Sequence, residues 1–258
     1  MFFHCIDRPD AHWQRLYRFS PVSGNFPHKQ KVMTEKLKQA LLIFAKQPLP
    51  GKVKTRLSPP LQPEEAAGLY LCMLDDVLAR AAALPGVEKY LFYDGGDDAL
   101  EYFRGSAPAM TCIPQRGKEL GERMENALRE VFSMGTGAAV VIGTDSPDLP
   151  LAFIASAFAR LEQGENGVVV GPSEDGGYYL VGMARLHRRL FRNIPWSSDR
   201  VMEETLKSAA DAEIAVSLLP LWRDVDTETD LHRPELRDEG NGAPLTREFL
   251  LNWLKETS

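Results

Sequence analysis

From residue 40 onward, short apolar runs alternate with amphipathic stretches, the pattern of strands and helices taken in turn. The clearest run is Ala138-Ala139-Val140-Val141-Ile142, five apolar residues with β-branching at the centre, which predicts a strand buried on both faces. Gly143 lets the backbone turn out of the sheet, and Asp145 then stands at the strand's carboxyl end, where open α/β sheets gather their ligands. Pro147 and Pro150 stiffen the next stretch of chain, because each fixes its own φ and disfavours a helical conformation in the residue before it. Asp145 could equally cap the next helix, since Asp is a preferred residue at that position.

The same pattern places strands at Ala40 to Ala45, Lys89 to Tyr93, Met110 to Ile113, Gly167 to Gly171, Tyr178 to Met183 and Glu213 to Leu219. A helix starts near Pro63 and carries Ala66, Leu69, Tyr70, Met73, Leu74, Val77, Leu78 and Ala81 on one face, a core stripe. Further helices are expected at Asp97 to Phe103, around Leu120 to Phe132, at Leu151 to Gln163, from a Ser197 or Ser198 cap through Ala209, and at Arg247 to Lys255. Such alternation implies one doubly wound, mostly parallel α/β sheet with helices on both faces. The two strands flanking Asp175-Gly176-Gly177 are too close for a helical crossover, so one of them should run antiparallel. Residues 1–32 have neither period; the expectation is an extension without catalytic role, a non-native start or a disordered tail, with Met33 opening a single domain over 33–258.

Composition narrows the function classes. Of 258 residues, 44% are hydrophobic and 26% charged, as in ordinary globular proteins, and a formal net charge of −6 favours neither nucleic acid nor an anionic membrane as a partner. Cys5, Cys72 and Cys112 are odd in number and have no C-x-x-C spacing, so neither a disulfide framework nor a zinc site is indicated. No apolar run approaches the ~20 residues of a membrane helix, and a cytoplasmic protein is expected. G-x-G-x-x-G, H-E-x-x-H, G-x-S-x-G and Walker A patterns do not occur.

Three stretches carry candidate chemistry. Between Lys46 and Arg56, a proline-stiffened loop holds four cations, Lys46, Lys52, Lys54 and Arg56, at the carboxyl end of a buried strand, where a di- or triphosphate needs its charge neutralised. Asp175-Gly176-Gly177-Tyr178-Tyr179 sets a carboxylate before a tight backbone path and two aromatic rings; a plain hairpin turn reads the same way. The run Asp224-Val225-Asp226-Thr227 follows the late strand, with Thr227 also a possible helix cap. Asp145 and Asp226 both follow strands of one sheet, which suits one Mg²⁺ or Mn²⁺ held by one or two carboxylates and by substrate phosphates.

These motifs, with Leu120-Gly121-x-Arg123-Met124 and Pro195-Trp196-Ser197, resemble in content and order a family of small bacterial proteins of the GT-A superfamily, often labelled arsenosugar-biosynthesis-type glycosyltransferases and related to molybdenum-cofactor and 2-phospho-L-lactate guanylyltransferases. The resemblance covers about residues 40 to 232 and implies a nucleotide-diphospho-sugar transferase fold whose amino-terminal half binds the nucleotide. It implies nucleotide-side roles for Lys46, Gly51, Lys54, Thr55, Arg56 and Arg123, with Lys46, Lys54 and Arg56 on phosphates. It further implies metal ligation by Asp145 and Asp226, and an acceptor-side carboxylate at Asp175. Departures are visible: Ser146-Pro147 leaves no full D-x-D although Asp148 lies close, Lys118-Glu119 stands where the family has Gly-Asp, and nothing beyond Pro234 matches. The expected activity is metal-dependent transfer of a sugar from a nucleotide-activated donor to a small acceptor, with Lys54, Arg56 and Asp175 in catalysis. The alternatives are nucleotidyl transfer from an NTP to a phosphorylated small molecule and nucleotide binding without catalysis. Base, sugar, acceptor and oligomeric state are not readable.

Overall fold

A computed structural model describes residues 37–163 and 167–256, so the expectations for residues 1–32 and for Cys5 lie outside the described residues. The run 138–142 is strand β4 (Ala138–Ile142), every residue of it buried. It lies between β1 (Gln39–Lys46), which runs parallel to it, and β6 (Tyr178–Met183), which runs antiparallel. With β2 (Val87–Asp94), β3 (Thr111–Pro114), β5 (Val168–Pro172) and β7 (Val216–Leu218), the sheet has seven strands in the order β3-β2-β1-β4-β6-β5-β7. The mixed α/β sheet is as expected, and β6 is the antiparallel member because only five residues separate it from β5, too few for a crossover.

Strand order reverses at the β1/β4 boundary: the chain proceeds outward from β1 through β2 and β3, then returns to place β4 on the other side of β1. That is a topological switch point, the usual ligand crevice of such sheets. Ile43 pairs with Ile142, so Lys46 and Asp145, each three residues further on, leave the sheet side by side.

The described residues form seven α-helices, α1 (Pro63–Ala82), α2 (Asp97–Ser106), α3 (Leu120–Ser133), α4 (Leu151–Glu162) and α5 (Val201–Asp211) between strands, and α6 (Glu228–Leu231) and α7 (Pro244–Glu256) after the last one. None of the helices among the described residues is long and apolar enough to cross a membrane. α5 begins later than its serines suggest. Ser197 adopts a left-handed φ of 66°, and Ser198 Oγ donates to Pro195 O (2.7 Å) and accepts from Arg200 N (3.3 Å), so these serines organise the turn before the helix rather than cap it. The late strand is shorter than its apolar pattern, three residues instead of seven.

A second apolar cluster lies beside the main core and includes the carboxyl-terminal segment that no motif covers. Leu57 and Leu61 after β1, Leu69 and Met73 of α1, Val225 and Leu231 after β7, and Leu250 and Trp253 of α7 pack together. Asp76, 2% exposed on α1, anchors α7 from outside: its carboxylate accepts from the N–H groups of Leu245 (3.2 Å) and Thr246 (2.8 Å), free donors of a helix first turn. The loop bearing Lys54 and the segment bearing Asp226 are therefore fastened to one core.

Candidate functional site

Gly51, with φ +70° and open space where a Cβ would stand, turns the β1 loop back on itself. Lys54 follows in a left-handed conformation (φ 47°, ψ 38°), uncommon for a residue with a Cβ. Leu57 then sinks fully into the second core, which draws the chain inward at Lys54. The Lys54 side chain is 3% exposed; Nζ donates to Asp145 Oδ1, to Asp226 Oδ1 (2.9 Å) and to Val225 O (2.7 Å). Asp145 and Asp226 stay 49% and 40% exposed. Burial opposes the charge on Lys54, but attraction to the two carboxylates outweighs it and raises its pKa. Arg56, exposed, lies 3.5 Å from Asp226 Oδ2.

The backbone holds this node in register. Val225 N donates to Asp145 O (2.8 Å), clipping the post-β7 segment to the end of β4. Asp230 Oδ2 accepts from Asp226 N, Thr227 N and Thr227 Oγ1, a capping arrangement that starts α6 and fixes Asp226. On the β1 side, buried Tyr70 Oη accepts from Lys46 N (2.9 Å) and pairs with Thr144 Oγ1 (2.9 Å), tying the ends of β1 and β4.

Lys54, Arg56, Asp145 and Asp226 thus converge, although Lys54 is 91 residues from Asp145 and 172 from Asp226. Thr55 and Arg56 open a single 3-10 turn. Gly51, Thr55 and Arg56 are exposed on this edge, and Lys46, which ends β1, is exposed with them. Lys54 differs from the phosphate-holding role that the resemblance implies: its three donors are spent on protein oxygens. Arg123 donates to Asp94 Oδ2 (2.9 Å), Gln115 Oε1 (3.3 Å) and Gly117 O (3.1 Å) at the ends of β2 and β3, where Asp94 pairs with Lys46 in the sheet. Asp175 is exposed in the turn between β5 and β6, its Oδ1 accepting from Gly177 N (2.9 Å). Asp148 is no second half of a D-x-D; it is buried, accepts from Trp222 Nε1 (3.3 Å), and burial raises its pKa.

The sequence pattern alone left Asp224 without a role. Its carboxyl turns inward, with Ser146 Oγ donating to Oδ1 and Ser173 Oγ to Oδ2 (3.3 Å), and burial together with the charge of Asp145 pushes its pKa up to about 7. The available signal was its place in the run Asp224-Val225-Asp226, two residues before Asp226 and beside Val225, which enters the core.

A second wall joins three of the motifs. A Cβ on Gly121 would stand 2.3 Å from Trp196 Nε1, and one on Gly176 2.1 Å from Asp199 O, so both positions need glycine for the loop 195–200 to pack there. Trp196 meets the Tyr178 ring edge-on at 6.3 Å, and Met202 N donates to Gly176 O (2.8 Å).

Asp145 and Asp226 offer hard oxygen donors with part of each carboxyl still exposed, which fits a Mg²⁺ or Mn²⁺ completed by waters and phosphates. No group of three or more His, Cys, Asp or Glu among the described residues forms an all-protein cage. Cys72 and Cys112 are free thiols.

The family described as "Uncharacterized protein conserved in bacteria (DUF2064)" matches residues 77–198. None of the curated proteins matches. Among solved structures, a provisionally named nucleotide-diphospho-sugar transferase from Desulfovibrio desulfuricans G20 is 33% identical, with 83% of this chain and 97% of that one covered and a TM-score of 0.74. A cytidylyltransferase from Leptospira borgpetersenii serovar Hardjo-bovis (strain JB197) shares the fold at 13% identity, over 86% and 95% of the two chains, with a TM-score of 0.52. With a DUF2064 match and a 33%-identical relative covered almost end to end, the chain belongs to this bacterial family and has the nucleotide-diphospho-sugar transferase fold.

Proposed function

We propose that the protein transfers a sugar from a nucleotide-activated donor to a small acceptor, with the diphosphate seated at the β1/β4 switch point. The observation that carries this reading is the convergence of Lys54, Arg56, Asp145 and Asp226 at that crevice, on a fold shared with a provisionally named nucleotide-diphospho-sugar transferase. A carboxylate pair held half-open beside exposed Lys46 and Arg56 has no packing purpose at a sheet edge, which argues against binding without catalysis. Asp145 and Asp226 would hold the Mg²⁺ or Mn²⁺, whose chemistry when bound is to neutralise charge on the leaving diphosphate. Arg56 and Lys46 screen the remaining phosphate charge, and their exposure lets them follow a flexible substrate. Asp175, in the turn leading to the aromatic corner of Tyr178 and Trp196, is the acceptor-side carboxylate, the group to take the proton of an attacking hydroxyl.

Nucleotidyl transfer is the second reading, favoured by the same cationic loop: a phosphorylated acceptor would attack the α-phosphorus of an NTP and release pyrophosphate. Product analysis separates the two. Incubated with Mg²⁺ and panels of nucleotide sugars and NTPs, the protein is expected to release nucleoside diphosphate from one sugar nucleotide. Pyrophosphate from an NTP, with no diphosphate from any sugar nucleotide, would overturn that assignment.

A further inference from the structure

The point between Asp145 and Asp226, where a divalent ion would sit, is filled by the chain's own ammonium. Lys54 Nζ makes three donations there, to Asp145 Oδ1, Asp226 Oδ1 (2.9 Å) and Val225 O (2.7 Å), which is all an ammonium can make. The placement is built in rather than incidental. Lys54 takes an unfavourable left-handed backbone, Leu57 beyond it is wholly buried, and Val225, also wholly buried, is bonded through its N–H to Asp145 O. Two carboxylates face two cations, Lys54 and Arg56, so the node is charge-balanced with no ion added.

We propose that Lys54 is a resident cation holding the divalent-ion position until a polyphosphate arrives, so that metal binds this protein only together with a diphosphate-bearing ligand. The proposal rests on the metal role assigned above to Asp145 and Asp226, and deepens it. An ion entering alone would meet an ammonium and a guanidinium beside it, with both carboxylates already neutralised. A diphosphate changes the balance: its charge compensates the ion, and its oxygens give Lys54 N–H groups new acceptors as they leave Asp145 and Asp226. Lys54 then reaches the phosphate side only in the loaded state, which reconciles its observed partners with the position of its loop.

The test uses Mn²⁺ as the probe, with free ion counted by electron paramagnetic resonance, on the full chain without other ligands. Wild type is expected to bind weakly, and Lys54→Met, which keeps the stem and removes the charge, at least about tenfold more tightly. Equal affinities would overturn the placeholder role while leaving Asp145 and Asp226 as ligands. A second measurement needs no variant: the melting midpoint of wild type in Mn²⁺, in inorganic pyrophosphate and in both. A joint shift larger than the sum of the separate shifts is expected. A full shift with Mn²⁺ alone would overturn the coupling, and no effect of Mn²⁺ under any condition would overturn both the coupling and the metal role.

Discussion

Two ion clusters in this molecule are near mirror images. At the switch point a buried cation, Lys54, is clasped by two half-exposed carboxylates; on α3 a buried anion, Glu125 at 7% exposure, is clasped by half-exposed Arg129 (2.5 Å), Arg188 (2.6 Å) and Arg192 (3.3 Å). Burial opposes the charge on Glu125, yet the three guanidiniums outweigh it and lower its pKa, just as the carboxylates raise that of Lys54. Ion-pair geometry therefore does not single out a functional site. What differs is place. Glu125 lies within a helix and ties it to the 188–192 segment following β6, whereas Lys54 draws together chain leaving β1, β4 and β7 at the edge where the sheet changes direction. The partners of Glu125 brace one helix against one segment; the partners of Lys54 are the open carboxylates themselves.

The comparison is broken most severely by Asp145→Asn. Losing one preorganised charge from the site should slow turnover on the donor identified by product analysis about 100-fold or more, about 3 kcal/mol in the barrier, and should also cost about 1–3 kcal/mol of stability, because buried Lys54 loses a charged partner. Glu125→Gln should cost stability alone. Denaturant unfolding is expected to show a loss of about 1–3 kcal/mol, because charged hydrogen bonds are lost from a buried position, while turnover stays within about twofold of wild type.

A smaller effect sharpens the electrostatics of the switch point. Asp224 has a pKa raised to about 7, so between the ordinary carboxylate range and that value the folded state holds a proton the unfolded state has released. Its contribution to stability therefore falls as pH rises through that window. Asp224→Asn should flatten the decline in metal-free buffer with chelator, seen in melting midpoints from about pH 4.5 to 8; an unchanged slope would assign the decline elsewhere. Smallest of all is Arg129→Gln, which removes one half-exposed partner of Glu125 and should cost about 0.5 kcal/mol or less in the same unfolding assay.

The sheet was legible because its strands are buried on both faces: runs such as 138–142 and 168–170 have no competing helical period, and the five-residue link before β6 left only an antiparallel solution. The placing of Asp145 and Asp226 at one edge of the sheet was legible for the same reason, since each follows a strand there. The partners of Lys54 were not. A cationic loop announces charge but not direction, and only the second core, built partly from the carboxyl-terminal helix, turns that side chain inward. Asp148 lies close to Asp145 in sequence, but Leu149, 6% exposed, and the Trp222 indole draw it into the interior. Arg123 was read as facing the nucleotide, and its partners, Asp94 and Gln115 at neighbouring strand ends, were not readable from its helix alone.

The most direct test of the switch-point assignment is a thermal-shift comparison of wild type, Asp145→Asn and Glu125→Gln against sugar nucleotides and NTPs with Mg²⁺. A ligand at about 100 times its Kd adds about 2.7 kcal/mol of stability, a readily measured shift. The account predicts that wild type and Glu125→Gln respond to the same nucleotide and that Asp145→Asn loses the Mg²⁺-dependent part of the response. A nucleotide shift in Asp145→Asn as large and as Mg²⁺-dependent as that of wild type would contradict it, and would move the diphosphate away from the β1/β4 crevice.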